Sequence, residues 1–519
     1  MARVDARPTL YVLAAVGVLS LGLSACGTRL PRSAFSGSQD LSASAPAGGS
    51  NATGNGSQSG ASSAGAPSAA GTPGANVASG GAGANSGGTG GASGSSGGGV
   101  AGGPTGAAAG SGSANDVGVT ASSITIGNVT SVQGALGPDA FGVSLPGLQA
   151  WVAATNASGG INGRKIILDT CDDSEDGQQN LACTDQLVTK DHVFALVGNN
   201  SDACASSAHF EYTQGVPDVG FPLCNGYYKY PNMFSAYGTG YPRKAAMPAN
   251  EQNQANIYKW FAANRHVSKG AYFFYIIPIS QQQGYAEETE AASVGIATTY
   301  EGGGSHEGEN PADPTFDTDV INMRADKVDS VYDAMDVAGN EKLCAAMDRQ
   351  GFTVKAKVST VEVFGQSVGQ WSSPCRDSVY SADSSAPYSD TSNPVVAQFR
   401  QAMSTYEPTA AMHQWALDGY ALGILFGDAV SSMGAKVTRS GFTKWLDSWK
   451  QPQAGGPGYT FHGLMSPEAW APLNYSKPAP ACDSIAQWND AAGTFVTVAG
   501  ANTCYTLGWL PTAFSADGS

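Results

Sequence analysis

Beyond residue 115 the chain alternates short apolar runs with segments whose apolar residues recur every three or four positions. Residues 123–129 (SITIGNV) alternate apolar with small polar residues, and 165–170 (KIILDT) read as a second strand. Residues 193–197 (VFALV) are apolar throughout, the mark of a strand buried on both faces, and 217–221 give a fourth strand. Between them Leu148, Trp151, Val152 and Thr155, and then Leu181, Thr184, Leu187 and Val188, recur at helical spacing. Strand followed by helix at this rhythm implies right-handed crossovers and a parallel sheet covered by helices on both sides. A second series follows, with strands expected at 271–277, 297–300, 330–335 and 354–359 and helices at 282–294 and 340–350. Helical patterns at 395–406, 413–433 and 441–449 are expected to complete the two cores, with a late strand at 495–498. The predicted fold class is α/β, with two doubly wound parallel-sheet lobes.

The amino-terminal pattern is of another kind. Arg3 and Arg7 precede an apolar run over 10–23, and small residues follow, which is the order of a secretory signal. The run is shorter than the roughly 17–25 residues a membrane-spanning helix needs. Leu23-Ser24-Ala25-Cys26 resembles the lipobox of bacterial lipoproteins. The resemblance implies removal of residues 1–25, diacylglycerol on the Cys26 sulfur and an acyl chain on its new amino group, an anchorage firmer than one chain gives. From about Ser36 to Ala114 the chain is almost wholly Gly, Ser, Ala, Asn and Thr and has nothing from which to build a core. Residues 26–115 are therefore expected to be a lipid anchor and disordered tether, with an r.m.s. span of about 50 Å for roughly 75 residues. The folded part is expected to work outside the cytoplasm, anchored to the bacterial cell membrane.

About 400 residues remain, comfortable for two lobes. The boundaries expected are 116–237 and 363–450 for lobe 1, and 238–362 and 451–519 for lobe 2. Net charge is −16, and losing Arg3, Arg7 and Asp5 with the signal leaves it one unit more negative. That surface repels phosphate backbones and anionic lipids, which argues against nucleic acid as a partner and against membrane contact other than through the anchor. Of nine cysteines, eight remain if Cys26 carries lipid, an even set suited to four disulfides in an oxidising compartment. Spacing alone leaves 105 pairings open. The sequence-local pairs Cys171 with Cys183, Cys204 with Cys224, Cys344 with Cys375 and Cys482 with Cys504 are expected. No metal and no cofactor is expected: there is no C-x-x-C, no H-E-x-x-H, no S-x-x-K and no Gly-Lys pair. Asp172, Ser174, Asp176 and Gly177 imitate the start of a calcium loop, but the twelfth position is Cys183 instead of Glu, so these acids are expected to cap the following helix.

Three segments carry a family likeness: residues 137–142 (GPDAFG), 157–164 (ASGGINGR) and 197–200 (VGNN), continued by 283–285 (QGY) and 313–316 (DPTF). The region resembles type I periplasmic substrate-binding proteins, in particular the group that binds leucine, isoleucine, valine or amides for ABC importers. The resemblance implies two hinged lobes that grip a small molecule between strand-to-helix loops, no catalysis, a monomer, and an ABC permease as partner. By matched position it points to Phe141 and Tyr285 as aromatic contacts, Asn225 as a polar contact and Asp313 as the acid that takes a ligand ammonium. Independently, helix amino ends offer unpaired N–H groups, which makes Asn199, Asn200, Ser201 and Asp202 candidates, and Asp336 follows a predicted strand toward the same edge. Asp202 departs from the Ser/Thr-rich family loop and would repel an amino-acid carboxylate. The function expected is capture of an amino acid, amide or related compound for import; a ligand-sensing lipoprotein and a secreted hydrolase are the alternatives.

Overall fold

The computed structural model describes residues 116–224, 226–235, 250–252, 256–304, 307–450, 459–466, 480–506 and 509–511. The first sheet is wholly parallel, in the order β2-β1-β3-β4-β5, from β1 (Ser123–Thr130), β2 (Lys165–Asp172), β3 (Ala195–Val197), β4 (Asp218–Gly220) and β5 (Met233–Ser235). After β6 (Asn250–Gln252) comes β7 (Lys269–Phe274), which opens a second sheet with β8 (Ala297–Glu301), β9 (Ser330–Ala334), β10 (Ala356–Ser359), β11 (Val379–Asp383), β12 (Pro480–Asn489) and β13 (Thr494–Thr506). Its order is β13-β12-β11-β10-β9-β7-β8, parallel from β11 to β8 and antiparallel at the late hairpin. β6 pairs separately with β14 (Trp509–Pro511). β3, β4, β9 and β10 are buried at every position, as strands covered by helices on both faces must be.

Among the strands that lie where the sequence reading had no element, β11 changes the topology most. β11 belongs to the second sheet, so residues 363–450, expected to return as one piece to the first lobe, first add a strand to the second. The return comes with the helices Pro394–Tyr406 and Gln414–Met433, both packed on the helix Leu145–Ala157. That crossing is close: a Cβ on Gly147 would lie 1.7 Å from the Ala416 carbonyl oxygen, and one on Gly423 would lie 2.3 Å from the Trp151 ring. Only glycine lets backbones approach so nearly.

The turn over 157–164 anchors the far end of the same long helix. Asn162 has φ 49°, and Gly160 has φ 80° with no room for a side chain against the Arg164 carbonyl. The fully buried Arg164 guanidinium then donates to the carbonyls of Thr120 and Ala435 at 2.9 and 3.1 Å, beside the helix C-terminus, where a cation is favoured. Four disulfides join Cys171 to Cys183, Cys204 to Cys224, Cys344 to Cys375 and Cys482 to Cys504. No helix among the described residues is long and apolar enough to cross a membrane. Cys26 and His306 lie outside the described residues.

Candidate ligand-binding site

In open α/β sheets the side chains of several strands converge at the carboxyl edge, where the strand-to-helix loops lie. After β3 the chain turns at Gly198 (φ 73°), and Asn200 is woven to β1: its N–H donates to the Val129 carbonyl and its carbonyl accepts from Ser131 N–H, both at 3.0 Å. The side chains of this loop are largely spent on the framework. Asn199 Oδ1 accepts from Val129 N–H at 2.7 Å while its Nδ2 donates to Asp218 at 3.1 Å. Asn200 Nδ2 donates to the Phe141 carbonyl at 3.0 Å and to Ser144 Oγ at 3.1 Å. The Ser201 hydroxyl donates to Asp173, which also accepts from Ser131 Oγ and Asn180 Nδ2. Asp202 differs: its Oδ1 is buried with no partner among the described residues. Burial, then the charges of Glu175 and Asp173, push its carboxyl up to about 7.

Glu175, in the loop after β2, accepts from the N–H groups of Ala135 and Leu136 at 2.7 and 3.2 Å and so ties the loop after β1 to its own. Asp176 caps the helix Gly177–Asp185, accepting from Gln179 N–H at 2.8 Å. The disulfide Cys204–Cys224 joins the start of the helix Ala205–Gln214 to the segment after β4. Beneath these loops Phe141 is fully buried, its ring stacked on Trp415 at 6.0 Å, with Phe221 on the same indole at 5.7 Å.

The second sheet contributes the opposite wall. Asp336 follows β9 and caps the helix Val337–Arg349, accepting from Gly339 N–H at 2.9 Å and from Tyr275 Oη, which follows β7, at 2.5 Å. Glu362 follows β10. Loss of water, then the charges of Asp336, Asp333 and Asp202, push its carboxyl up to about 8. Glu175 is raised by burial first, with Asp173 and Asp336 adding to it. The carboxyl edges of the two sheets therefore face each other closely enough for Asp202 to act on Glu362 and Asp336 on Glu175. At their junction His413 pairs its backbone with Gly365, Nε2 donates to the Glu362 carbonyl at 2.9 Å, and Nδ1 accepts from Trp415 N–H at 3.1 Å. Burial lowers this imidazole to about 4, which keeps it neutral with the proton on Nε2.

The other candidates lie elsewhere. Tyr285 sits edge-on to Phe274 at 5.1 Å in the apolar cluster on one face of the second sheet. Asp313 belongs to an acidic group near the end of β7, where it adds to the rise of Glu309, itself raised to about 7 by burial first and then Asp319. Asn225 lies outside the described residues. Sequence reasoning passed over Glu175, Tyr275, Glu362, His413 and Trp415. For Glu362 the available signal was position, three residues after an expected strand; Glu175 and Tyr275 follow strands whose ends differ from those expected at 170 and 277. No group of three His, Cys, Asp or Glu among the described residues is placed to hold a metal ion.

Two parallel-dominated sheets whose carboxyl edges meet define a bilobal solute-binding protein. A family model described as periplasmic binding protein matches residues 123–467, and the chain belongs to that family, in its type I form. Its members are solute-binding proteins of ABC transporters, not enzymes, and they work outside the cytoplasm. No curated protein matches at the sequence level. Among solved structures, a fatty acid ABC transporter substrate-binding protein from Thermomonospora curvata is similar with TM-score 0.58 at 15% identity, covering 76% of this chain and 94% of its own. A solute-binding protein from R. palustris in complex with benzoate gives 0.54 at 14%, over 74% and 98% of the two chains. A branched-chain amino acid transporter substrate-binding protein from Streptococcus pneumoniae in complex with isoleucine gives 0.53 at 17%, over 72% and 99%. At these identities the likeness is one of fold.

Proposed function

We propose that the protein is a lipid-anchored, extracytoplasmic solute-binding protein that captures a small molecule between its two lobes and delivers it to an ABC permease. The observation that carries this reading is the placement of Asp202 and Glu175 at the carboxyl edge of one sheet and of Asp336 and Glu362 at that of the other, with the Gly365–His413 backbone bridge where the chain crosses between them. A solute held there touches both lobes only when they are closed, so its affinity for the closed form shifts the hinge equilibrium, and closure is the signal the permease reads. The proposed boundaries join β1–β5 to the helices of 394–450, and β7–β11 to the late hairpin, with 360–365 and 413 as one of the crossings. Asp202, Asp336 and the backbone of 199–202 are the proposed ligand contacts, with Phe141 supporting the floor. The ligands named for the structural neighbours, a fatty acid, benzoate and isoleucine, support small-molecule capture and leave the chemical class open.

The test is calorimetry and thermal shift over amino acids, amides, ureas, amines and small aromatic acids. One class is expected to bind stoichiometrically, without turnover, at micromolar Kd, or about −8 kcal/mol. Silence across the panel, or conversion of a bound compound, overturns the reading.

The anchor is tested separately. Cys26→Ser is expected to abolish acylation and move the protein from the membrane fraction to the medium; retention of the variant in the membrane overturns the anchor and leaves the binding function standing.

A further inference from the structure

Resting on that reading of the cleft, we propose that its solute is a cation with N–H donors, an amine or guanidine, and not a free carboxylate. Four carboxyl side chains stand in four separate strand-to-helix loops at the carboxyl edges of the two sheets: Glu175 after β2, Asp202 after β3, Asp336 after β9 and Glu362 after β10. None of the charges that act most strongly on Asp202, Glu175 or Glu362 belongs to a lysine or arginine. The protein thus brings negative groups together from both sides, and Lys357 is matched to Asp333 and not to the four acids of the cleft. A carboxylate entering here would meet Asp202 at the very loop whose helix amino end favours anions, and the buried acid outweighs a helix end contributing about 0.3–1 kcal/mol.

A second observation also points to a bound solute and does not depend on the acids. Trp415 is 3% exposed, sits in the first turn after the junction residue His413, and its indole Nε1 has no partner among the described residues. With Phe141 and Phe221 against it, the indole forms an aromatic floor at the carboxyl ends of β1 and β4. A buried N–H without an acceptor is costly, and a solute oxygen or a water held by the solute relieves it. Asp202 Oδ1 asks for a donor and Trp415 Nε1 for an acceptor. A protonated amine or guanidine that also carries a neutral oxygen, as in amino alcohols and amino amides, satisfies both.

Closure follows from the same charges. Without a solute, bringing Asp202 and Glu175 toward Glu362 and Asp336 costs repulsion, and a bound cation removes it. Asp202 is faced by Asp173 and Glu175 from the loop after β2 and by Glu362 from the segment after β10, all acids, so cation binding releases protons and tightens as pH rises from 6 to 8.

The experiment is calorimetry on the full chain with putrescine, agmatine, ethanolamine and glycinamide against isoleucine, benzoate and hexanoate, at pH 6 and pH 8. At least one of the four cations is expected to bind, more tightly at pH 8, with Asp202→Asn weakening it roughly tenfold or more. The variant removes a buried acid and is expected to melt no lower than the wild type, so a loss of binding is not a loss of fold. Binding of a carboxylate compound with none of the cations overturns the charge assignment while leaving capture intact. Binding of cations unchanged in Asp202→Asn overturns the assignment of the site, and silence from both groups overturns the charge class together with the function it rests on.

Discussion

Replacing Lys357 by methionine is expected to lower the unfolding free energy by about 3–5 kcal/mol, the cost of leaving a buried charge without its partner. Lys357 and Asp333 are both fully buried, at 0% side-chain exposure, with Nζ 2.6 Å from Asp333 Oδ2. The ammonium also donates to Ser359 Oγ at 2.7 Å and to the Asn340 side-chain oxygen, and it lies 5.3 Å from the centre of the Trp371 ring. Burial lowers the lysine, and the Asp333 charge opposes that lowering. Methionine fills the volume, so the loss reports the stranded Asp333 carboxylate and not a cavity. The double variant Lys357→Met with Asp333→Asn is expected to recover most of the loss. Urea unfolding followed by circular dichroism measures both. A single-variant change below about 1 kcal/mol, the scale of an exposed pair, would show that the charges are not confined as described. The effect reaches the site because Asn340, held in this network, donates to the carbonyls of Met335 and Asp336 at 3.0 Å and so fixes the turn that presents Asp336.

The strands that could be read from sequence are those whose environment dictates composition. β3 and β9 lie under helices on both sides, which leaves room for little except apolar and small residues. β11 was missed because V-Y-S-A-D alternates weakly between Ser-rich segments, and its place in the sheet comes from pairing with β10 and with Ala486 and its neighbours, a hundred residues away. β5 and β6 are three residues each and carry no period at all. The helix expected from 282 starts at Pro278, where proline suits the first turn and the apolar period has not yet begun.

The site was legible to the extent that it depends on strand ends. The loop 199–202 and Asp336 could be found because helix amino ends follow strands there, whereas Glu175 and Glu362 look in one dimension like any acid in a turn. What separates them from a cap is proximity across the cleft, which no spacing encodes. Two tyrosines ten residues apart illustrate the difference. Position in the resembled family points to Tyr285, which packs over the sheet face; the hydroxyl that holds Asp336 belongs to Tyr275, which the strand expected over 271–277 would have contained.

Stability is expected to fall between pH 5 and pH 8, because each pKa unit gained on folding is worth roughly 1.4 kcal/mol. The groups responsible are carboxyls raised chiefly by burial: Asp202, Glu211 and Asp483 to about 7, Glu287 and Glu362 to about 8, and Asp383 to about 6. The sign follows from proton counts. Below the ordinary carboxyl range folded and unfolded chains are both protonated, and these groups contribute no difference. Between that range and the folded values the folded chain keeps protons the unfolded chain has released, so each rise in pH favours unfolding until the folded value is passed. Two raised acids in mutual contact do not act independently, so the total is smaller than the separate shifts would give: Asp218, raised well above the ordinary range by burial and then by Glu211, shares one environment with it. Asp317, held far below the ordinary range by its hydrogen bonds to Arg349, titrates outside this window and does not offset the trend. Calorimetric melting at constant ionic strength from pH 5 to pH 8 measures it, and a melting temperature that rises over this interval overturns it. Because Asp202 and Glu362 lie at the proposed cleft while Glu211 lies in the helix Ala205–Gln214 beside Asp218, a cationic solute at saturation is expected to flatten part of the slope and leave the rest, and Asp202→Asn to flatten it without any solute. Acidification and a bound cation thus relieve the same repulsion between the lobes, one by removing negative charge and the other by matching it.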